Sequence, residues 1–319
     1  MRGALPQLGN LLEVAELAAL ASRDDVESRI VVRRGRRRET SHGPFARMRE
    51  RPRDWTILVS GVNLHHAKAD ALLRRFSFIP QARLDDVMVS YATPGGGVGP
   101  HVDSYDVFLL QGSGRRRWRI TGAGATSVYT AHPGDLIYVP PGWRHDGVAL
   151  DPCFTYSIGF RAPSGAELGA AFLDWLHERG LPDARYRDPR LRPASQNASI
   201  PREMVDFAAR ALARIRWTRA DVASFLGEYL SMPKPQVVFE PARPRRGAIV
   251  RLDPKSQLLY RGARFFMNGD ALRVPARAVA ALRIFADERS AATAALARAG
   301  LGRLISEWQR RGYLRVERH

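Results

Sequence analysis

The chain has 319 residues, 45% of them hydrophobic, which is enough for two or three domains with cores of their own. Its single cysteine, Cys153, excludes an intramolecular disulfide framework, and no apolar run approaches the ~20 residues of a membrane span, so we expect a cytoplasmic protein. The net charge is +18, and residues 233–319 alone carry +11 from 18 basic and 7 acidic side chains, which favours binding to nucleic-acid phosphates.

The first part of the chain reads as a helix at 11–21, a basic segment at 33–38 and then alternating strands as far as Arg161. The basic segment is arginine except for Gly35. It is either a nucleic-acid-binding patch or the solvated tip of a β-hairpin, and the pattern favours the hairpin.

Two histidines and an aspartate stand where predicted strands meet turns. Residues i and i+2 of a strand share a face, so His101 and Asp103 can bind one metal ion together, and His145 can complete the set. Two imidazoles and one carboxylate leave three coordination positions open, which suits Fe(II) that binds a co-substrate and O₂. The spacing alone is moderately specific. Its context strengthens it, because a glycine-rich turn at 94–99 precedes His101 and a turn, strand and turn at 133–144 precede His145.

A basic strand points to the co-substrate. Strand alternation places Arg116 on the same face as Trp118 and Ile120, and the neighbouring arginines on the other face. A guanidinium on a buried face needs a carboxylate partner, and no acidic residue lies on this strand. A dicarboxylate that chelates the metal at one end and pairs with Arg116 at the other would satisfy both sites, and 2-oxoglutarate fits. The alternative is that Arg116 lies at a rim and extends to water.

The remainder of the chain predicts two further units. Helical patterns at 164–180 and 201–231 carry apolar stripes, and Thr218 has the sequence context of a helix N-cap. We expect these helices to pack or dimerise. Strands, three helices and a final strand then follow in the order of a winged-helix domain, over these segments: 249–252, 257–260, 264–267, 276–287, 291–299, 302–311 and 312–316.

Five motifs together resemble the bacterial JmjC-type ribosomal oxygenases over almost the whole chain. They are SHGPF (41–45), PGGGVGPH-x-D-x-YDVF (94–108), GRRRWR (114–119), PPG-x-x-H (140–145) and YS-x-GFRAP (156–163). This family contains Fe(II)- and 2-oxoglutarate-dependent dioxygenases that hydroxylate an arginine of a large-subunit ribosomal protein. The resemblance implies an α+β fold with three parts: a double-stranded β-helix (cupin/JmjC) barrel at 1–162, a helical dimerisation region at 163–232 and a winged-helix domain at 233–319.

Carried over to this sequence, the resemblance makes His101, Asp103 and His145 the iron ligands and Arg116 the partner of the distal 2-oxoglutarate carboxylate. It also implies that Ser90 and Thr155 help to hold the co-substrate. Asp86 and Tyr105 are implied to hold the substrate arginine. A guanidinium entering a pocket of low polarity needs a carboxylate, and an aromatic ring adds cation–π attraction. We expect Asp86 just before a strand at 87–91. The alternative is a solvated turn at 85–86 and a core aromatic at Tyr105.

The chain differs from the family pattern in two places. It begins at Met1, where relatives already have an entry helix and an edge strand, and residues 121–132 form a short loop where the family has a longer excursion. We therefore expect an N-terminally shortened barrel.

The leading hypothesis is an oxygenase that uses Fe(II), 2-oxoglutarate and O₂ to act on a ribosomal protein, as a homodimer with a possible ribosomal RNA contact and no membrane contact. The alternative is a cupin-type sensor of a metal or small acid with a basic winged helix that binds nucleic acid. A demethylase acting on methylated lysine is a third option, which Asp86 disfavours because a carboxylate suits a full cation at least as well.

Overall fold

The computed structural model describes residues 1–6, 8–187, 196–245 and 247–317. Its first half consists mainly of short antiparallel strands, as the alternation of apolar and polar residues predicts. The elements are α1 (Val14–Ala21), β1 (Ser28–Arg34), β2 (Arg37–His42), β3 (Trp55–Val59), α2 (Ala67–Arg74), β4 (Leu84–Ala92), β5 (His101–Val102), β6 (Val107–Ser113), β7 (Arg116–Gly122), β8 (Ala125–Ala131), β9 (Leu136–Val139), β10 (Arg144–Ala149) and β11 (Cys153–Phe160).

Two sheets face each other to form the predicted cupin-type barrel. The larger has the order β2-β1-β3-β4-β11-β6-β9, and the smaller has the order β5-β10-β7-β8. Helices α1 and α2 pack on the outer face of the larger sheet. Strand alternation therefore separates two environments, because one side of each central strand meets the helices while the other side meets the interior between the sheets.

Strand β4 shows how this separation places polar groups inside the barrel. Val87 and Val89 belong to the core beneath the helices, whereas Met88 and Ser90 line the interior cavity. Asp86 also lines this cavity from within β4, so the expectation that it precedes the strand is wrong by three residues. Pairing with β11 extends the ladder to Phe160↔Leu84, which includes Asp86 in the strand.

Two hairpins clarify segments that the sequence left open. The basic segment is the tip of the β1–β2 hairpin, with Gly35 at a positive φ of 62°. The expectation of a loop at 121–132 is wrong, because these residues form the end of β7, a tight turn and the edge strand β8. Ala123 and Gly124 have φ values of 50° and 77°, as a two-residue hairpin turn requires.

The first residues lie against the free edge of the larger sheet. The backbone of Met1 exchanges hydrogen bonds of 2.7 and 3.0 Å with Leu136 of β9, and the Gly3 N–H donates to an Asp135 carboxylate oxygen at 2.8 Å. An edge strand with unpaired backbone groups invites pairing with other chains, so these contacts protect it.

The middle section contains α3 (Gly165–Glu178), α4 (Arg202–Leu212) and α5 (Arg219–Ser231). The helical pattern at 201–231 is thus two helices, because the Thr218 hydroxyl accepts the Asp221 N–H and starts α5 as a new helix. Part of the proline-rich segment between α3 and α4, residues 188–195, lies outside the described residues.

The C-terminal section has the predicted winged-helix order and packs around its own apolar core of residues such as Val250, Phe285 and Trp308. Throughout the part of the chain that the structure describes, no helix has both the length and the apolar character needed to cross a bilayer. The elements of this section are β12 (Ile249–Leu252), β13 (Leu258–Arg261), β14 (Arg264–Met267), β15 (Asp270–Leu272), α6 (Val279–Glu288), β16 (Ser290–Ala292), α7 (Thr293–Arg298), α8 (Gly302–Arg310) and β17 (Leu314–Glu317).

Candidate active site

Three potential metal ligands converge at one end of the barrel. His101 on β5 and His145 on β10 are direct cross-strand partners, and their ring centroids lie 4.1 Å apart. Asp103 follows β5, and its Oδ2 lies 3.9 Å from Nε2 of His101 and 3.6 Å from Nε2 of His145. One ligand atom from each of the three residues falls within 4.8 Å of the others. Short strand pairing thus unites residues that are 44 positions apart in the chain.

Backbone carbonyls orient both imidazoles. Nδ1 of His101 lies 2.9 Å from the Gly99 carbonyl oxygen, and Nδ1 of His145 lies 3.2 Å from that of Trp143. A donating Nδ1–H leaves the Nε2 lone pair free to face Asp103. Burial, and then the neighbouring His101, lower the pKa of His145 below its usual value, which favours the neutral imidazole that a metal requires. This donor set fits Fe(II) with open coordination positions.

The glycine-rich turn before His101 lets the backbone pass close to its neighbours. A Cβ on Gly97 would lie 2.2 Å from the carbonyl oxygen of Gly147 on β10, so a side chain at this position would push the two segments apart. Gly95 has a φ of 83°, a region that glycine enters without strain. The turn therefore places β5 beside β10 and His101 beside His145.

Arg116 is the buried cation of this cavity. It is 4% exposed, which excludes the alternative of a solvated rim, and strand β7 alternates buried and exposed residues as predicted. Its Nη1 donates to the Ser90 hydroxyl at 3.1 Å. Nε and Nη2 are buried and have no acceptor among the described residues. Two unpaired donors on a buried guanidinium fit the carboxylate of an acidic ligand.

Ser90 and Thr155 lie opposite each other on β4 and β11. The Ser90 hydroxyl accepts from Arg116, whereas the Thr155 hydroxyl donates to Oε1 of Gln111 on β6 at 3.1 Å. Both side chains are buried, but only Ser90 lines the cavity. Ser90 contacts Arg116 directly, whereas Thr155 is linked to it through its backbone carbonyl, which accepts a hydrogen bond from the Ser90 hydroxyl at 3.4 Å.

Asp86 and Tyr105 occupy the other end of the same cavity, which has a volume of about 270 Å³. Asp86 is buried and Tyr105 is 40% exposed, so neither a solvated turn nor a core aromatic describes them. The Gly61 N–H donates to Oδ2 of Asp86 at 2.9 Å. Burial raises the pKa of Asp86, while the nearby Lys234 ammonium opposes that rise.

Sequence reasoning missed Lys234. Its Nζ lies 3.0 Å from Oδ2 of Asp85 and 3.2 Å from Oδ2 of Asp86, at the side of the cavity that holds Tyr105. Arg161 also contacts Asp85, at 3.4 Å. The available signal was weak: Lys234 is one of three lysines and stands between two prolines, far along the chain from both aspartates.

Family profiles match two parts of the chain. The profile described as JmjC domain matches residues 71–131 and 125–168, and the profile described as ROXA-like winged helix matches residues 214–315. The two segments of the JmjC match together contain all three potential metal ligands as well as Arg116.

Two curated relatives are similar in sequence. The "Ribosomal protein uL16 3-hydroxylase" of Escherichia coli K12 is 36% identical over 249 residues, which cover 72% of this chain and 66% of that protein. A "Probable ribosomal oxygenase" of Haemophilus influenzae is 33% identical over 197 residues, or 53% of this chain and 47% of that protein. These alignments thus span just under two-thirds of the first relative and about half of the second.

Solved structures of the E. coli ribosomal oxygenase YcfD match over greater lengths. One superposes with a TM-score of 0.82 at 31% identity, covering 97% of this chain and 91% of that one. A second holds cobalt and 2-oxoglutarate and superposes with a TM-score of 0.84 at 29% identity, covering 99% and 93%. The similarity therefore extends through the barrel, the middle helices and the winged helix.

Proposed function

The chain belongs to the JmjC-domain ribosomal oxygenases, and from this premise we propose that it is a cytoplasmic Fe(II)- and 2-oxoglutarate-dependent dioxygenase that hydroxylates an arginine side chain of a large-subunit ribosomal protein. One observation carries the proposal: a cluster of three metal donors and a buried arginine with two unpaired donors share a single cavity. The names of the E. coli and H. influenzae relatives support the ribosomal protein as substrate.

In this proposal His101, Asp103 and His145 bind the iron. Bound iron, together with 2-oxoglutarate and O₂, supplies the oxidising chemistry, and the protein supplies position and exclusion of water. Arg116 pairs with the distal carboxylate of 2-oxoglutarate, and Ser90 holds the guanidinium from the other sheet of the barrel. Thr155 supports the same end of the cavity because its carbonyl accepts a hydrogen bond from the Ser90 hydroxyl.

The substrate arginine would enter at the end that holds Asp86 and Tyr105. A buried carboxylate attracts a guanidinium strongly because few water molecules compete for it, and the tyrosine ring offers an apolar and cation-attracting face. Since Asp103 lies on the metal side of the same cavity, a side chain held by Asp86 would extend toward the iron.

An anaerobic titration with Fe(II) and 2-oxoglutarate tests the proposed cofactors. We expect a metal-to-ligand charge-transfer absorption band that appears only when both are added, because one metal must be chelated by the 2-oxo acid. Zn(II) in place of Fe(II) is the control, since it has no redox-active d electrons to give the band. Absence of the band at saturating iron and 2-oxoglutarate would contradict the proposed function and favour the sensor alternative.

Replacement of Asp86 by asparagine should selectively reduce hydroxylation of arginine. The change removes the charge and keeps the shape, so we expect about a tenfold lower kcat/KM for the arginine substrate, the lower end of the effect of a charged hydrogen bond. Decarboxylation of 2-oxoglutarate without substrate should continue. Peptide mass spectrometry reports the product as a mass increase of one oxygen. If this variant is fully active and the added oxygen is found on histidine or lysine, the assignment of an arginine pocket is wrong. The assignment as an oxygenase would still hold.

We propose that the chain is a homodimer through its middle section. The proposed division of the chain is a barrel at 1–162, a dimerisation region at 163–232 and a winged helix at 233–319. The middle section exposes apolar side chains that the described residues leave uncovered, among them Leu173, Met204, Val205, Leu212, Trp217 and Val222.

Light scattering should therefore give the mass of two chains at micromolar concentration. A Leu212→Glu substitution should shift the mass toward one chain, because it places a charge in the apolar contact. Phe78, an exposed aromatic residue on the barrel, provides the control Phe78→Glu, which should leave the dimer intact. A parent protein that is monomeric with its helices folded would contradict this assignment.

We also propose that the winged helix contacts ribosomal RNA. The net charge of +11 in residues 233–319 supports this contact, because arginines that neutralise phosphates release counterions. Binding to a ribosomal RNA fragment should therefore weaken steeply as salt rises from about 50 to 200 mM. If the RNA fragment does not bind, or if its binding does not change with salt, the proposed RNA contact is wrong. The winged helix would then serve only in packing.

A further inference from the structure

Lys234 lies where the substrate cation is proposed to bind. It follows helix α5 and reaches back across the chain to β4, where its ammonium contacts both aspartates at the cavity mouth. Its side chain is 28% exposed, so it is only partly accessible to water. The carboxylate proposed to recognise a guanidinium therefore already has an internal cationic partner.

The charges at the mouth are balanced before any substrate enters. Asp85 and Asp86 supply two negative charges, and Lys234 and Arg161 supply two positive charges within 3.4 Å of them. An additional guanidinium would bring an excess positive charge next to Lys234. Like charges at such short range repel strongly in a partly buried site, so a substrate cation and Lys234 cannot both hold Asp86 equally well.

Atomic detail shows which contact would have to change. Oδ1 of Asp86 has no donor among the described residues, whereas Oδ2 accepts from the Gly61 N–H and from Lys234. A guanidinium binds a carboxylate best through both oxygens. The first oxygen is thus open to an arginine, and the second opens when Lys234 withdraws.

We propose that Lys234 is an internal substitute for the substrate cation: it holds Asp86 in the free protein and moves fully onto Asp85 when an arginine side chain enters. The inference rests on the proposed function, since it assumes that Asp86 receives the substrate. It makes Lys234 a specificity-determining residue. A neutral side chain cannot displace the ammonium, and only a cation that pairs with both oxygens of Asp86 offsets the lost contact.

The surroundings of Lys234 restrict this change to its side chain. Pro233 and Pro235 flank it and limit the backbone on both sides. Arg161 fixes the preceding helix end by donating to the Leu230 carbonyl at 2.6 Å. The four-carbon stem of the lysine lets Nζ shift from one carboxylate to the other without a movement of the chain.

Binding of two matched peptides to the full chain tests the proposal. One is a capped ten-residue peptide with a central arginine among small neutral residues, and its twin carries citrulline, which has the same shape without the charge. Lys234→Met should bind the arginine peptide about tenfold more tightly than the parent, because one competing charged contact is lost. Affinity for the citrulline peptide should not change.

Two control variants separate competition from other effects. Lys234→Arg keeps a cation at the mouth and should bind the arginine peptide as the parent does. Lys68→Met removes one positive charge from the exposed side of α2 and should leave both affinities unchanged. Equal or weaker arginine binding by Lys234→Met would overturn the proposal. Such a result would mean that Lys234 positions Asp86 for binding and does not compete with the substrate.

A second measurement covers the case in which Lys234→Met does not fold. Reductive methylation with ¹³C labels the three lysines of the chain, Lys68, Lys234 and Lys255, and the N-terminal amine, with the charge retained. The Lys234 signal should shift on addition of the arginine peptide but not of the citrulline peptide, and the signals of the other two lysines should stay constant. An unchanged Lys234 signal in a parent that hydroxylates the arginine peptide would overturn this inference alone. A parent that neither binds nor hydroxylates it would overturn the proposed arginine substrate as well.

Discussion

Replacement of His145 by alanine should abolish iron retention and succinate formation together. The side chain is one of only three donors in the cluster, and it is the most buried of them. Residues that only support a metal ligand contribute roughly 10- to 100-fold to metal affinity, so loss of a ligand from a three-donor site should exceed that range. Metal analysis after gel filtration and a succinate assay give the two readings.

The exposed His132 provides the matched control for this change. Its replacement by alanine removes an imidazole from the same domain without touching the cluster, so iron content and turnover should equal those of the parent. If the His145 variant turns over 2-oxoglutarate at the parental rate, the metal assignment is wrong, and the Arg116 pocket would then belong to a binding protein.

Replacement of Arg116 by methionine should raise the KM for 2-oxoglutarate by about 10- to 100-fold while the metal content stays constant. The reason is that Arg116 is the only cation among the described cavity-lining residues whose unpaired donors are buried, so the distal carboxylate would be left in a buried site without a partner. Steady-state kinetics at saturating iron measure the effect.

The next residue along β7 supplies the control. Arg117 points to solvent on the opposite face, so Arg117→Met removes the same charge from the same strand without reaching the cavity. Its KM should match that of the parent. An Arg116 variant with an unchanged KM would mean that the buried guanidinium serves the structure of the barrel rather than the co-substrate.

Local patterns in the sequence predicted the parts of the site that depend on residues close together in the chain. Alternation on β7 predicted the inward face of Arg116, and the i, i+2 spacing predicted that His101 and Asp103 would act together. The capping pattern at Thr218 likewise predicted the start of the helix at 219–231. In each case the determining physical rule acts over one strand or one helical turn.

The contacts that sequence reasoning missed depend on long-range packing. Lys234 and Asp86 are 148 residues apart, and no local pattern reports that the segment after α5 returns to β4. Residues 121–132 were expected to form a short loop because the resembled family has a longer excursion there, yet pairing along the whole of β7 makes residues 125–131 an edge strand. Tertiary pairing decided both outcomes.

The return of the chain from α5 to the barrel limits how far the protein can be divided. A fragment that ends at residue 162 would keep every metal ligand but lose Lys234, together with the carbonyl of Leu230 that anchors Arg161. Asp86 would then be a buried carboxylate without a cation, which is costly in a folded interior. The three sections that look separate along the sequence thus share one set of balanced charges. The barrel needs residues of the middle and C-terminal sections to neutralise its own aspartates.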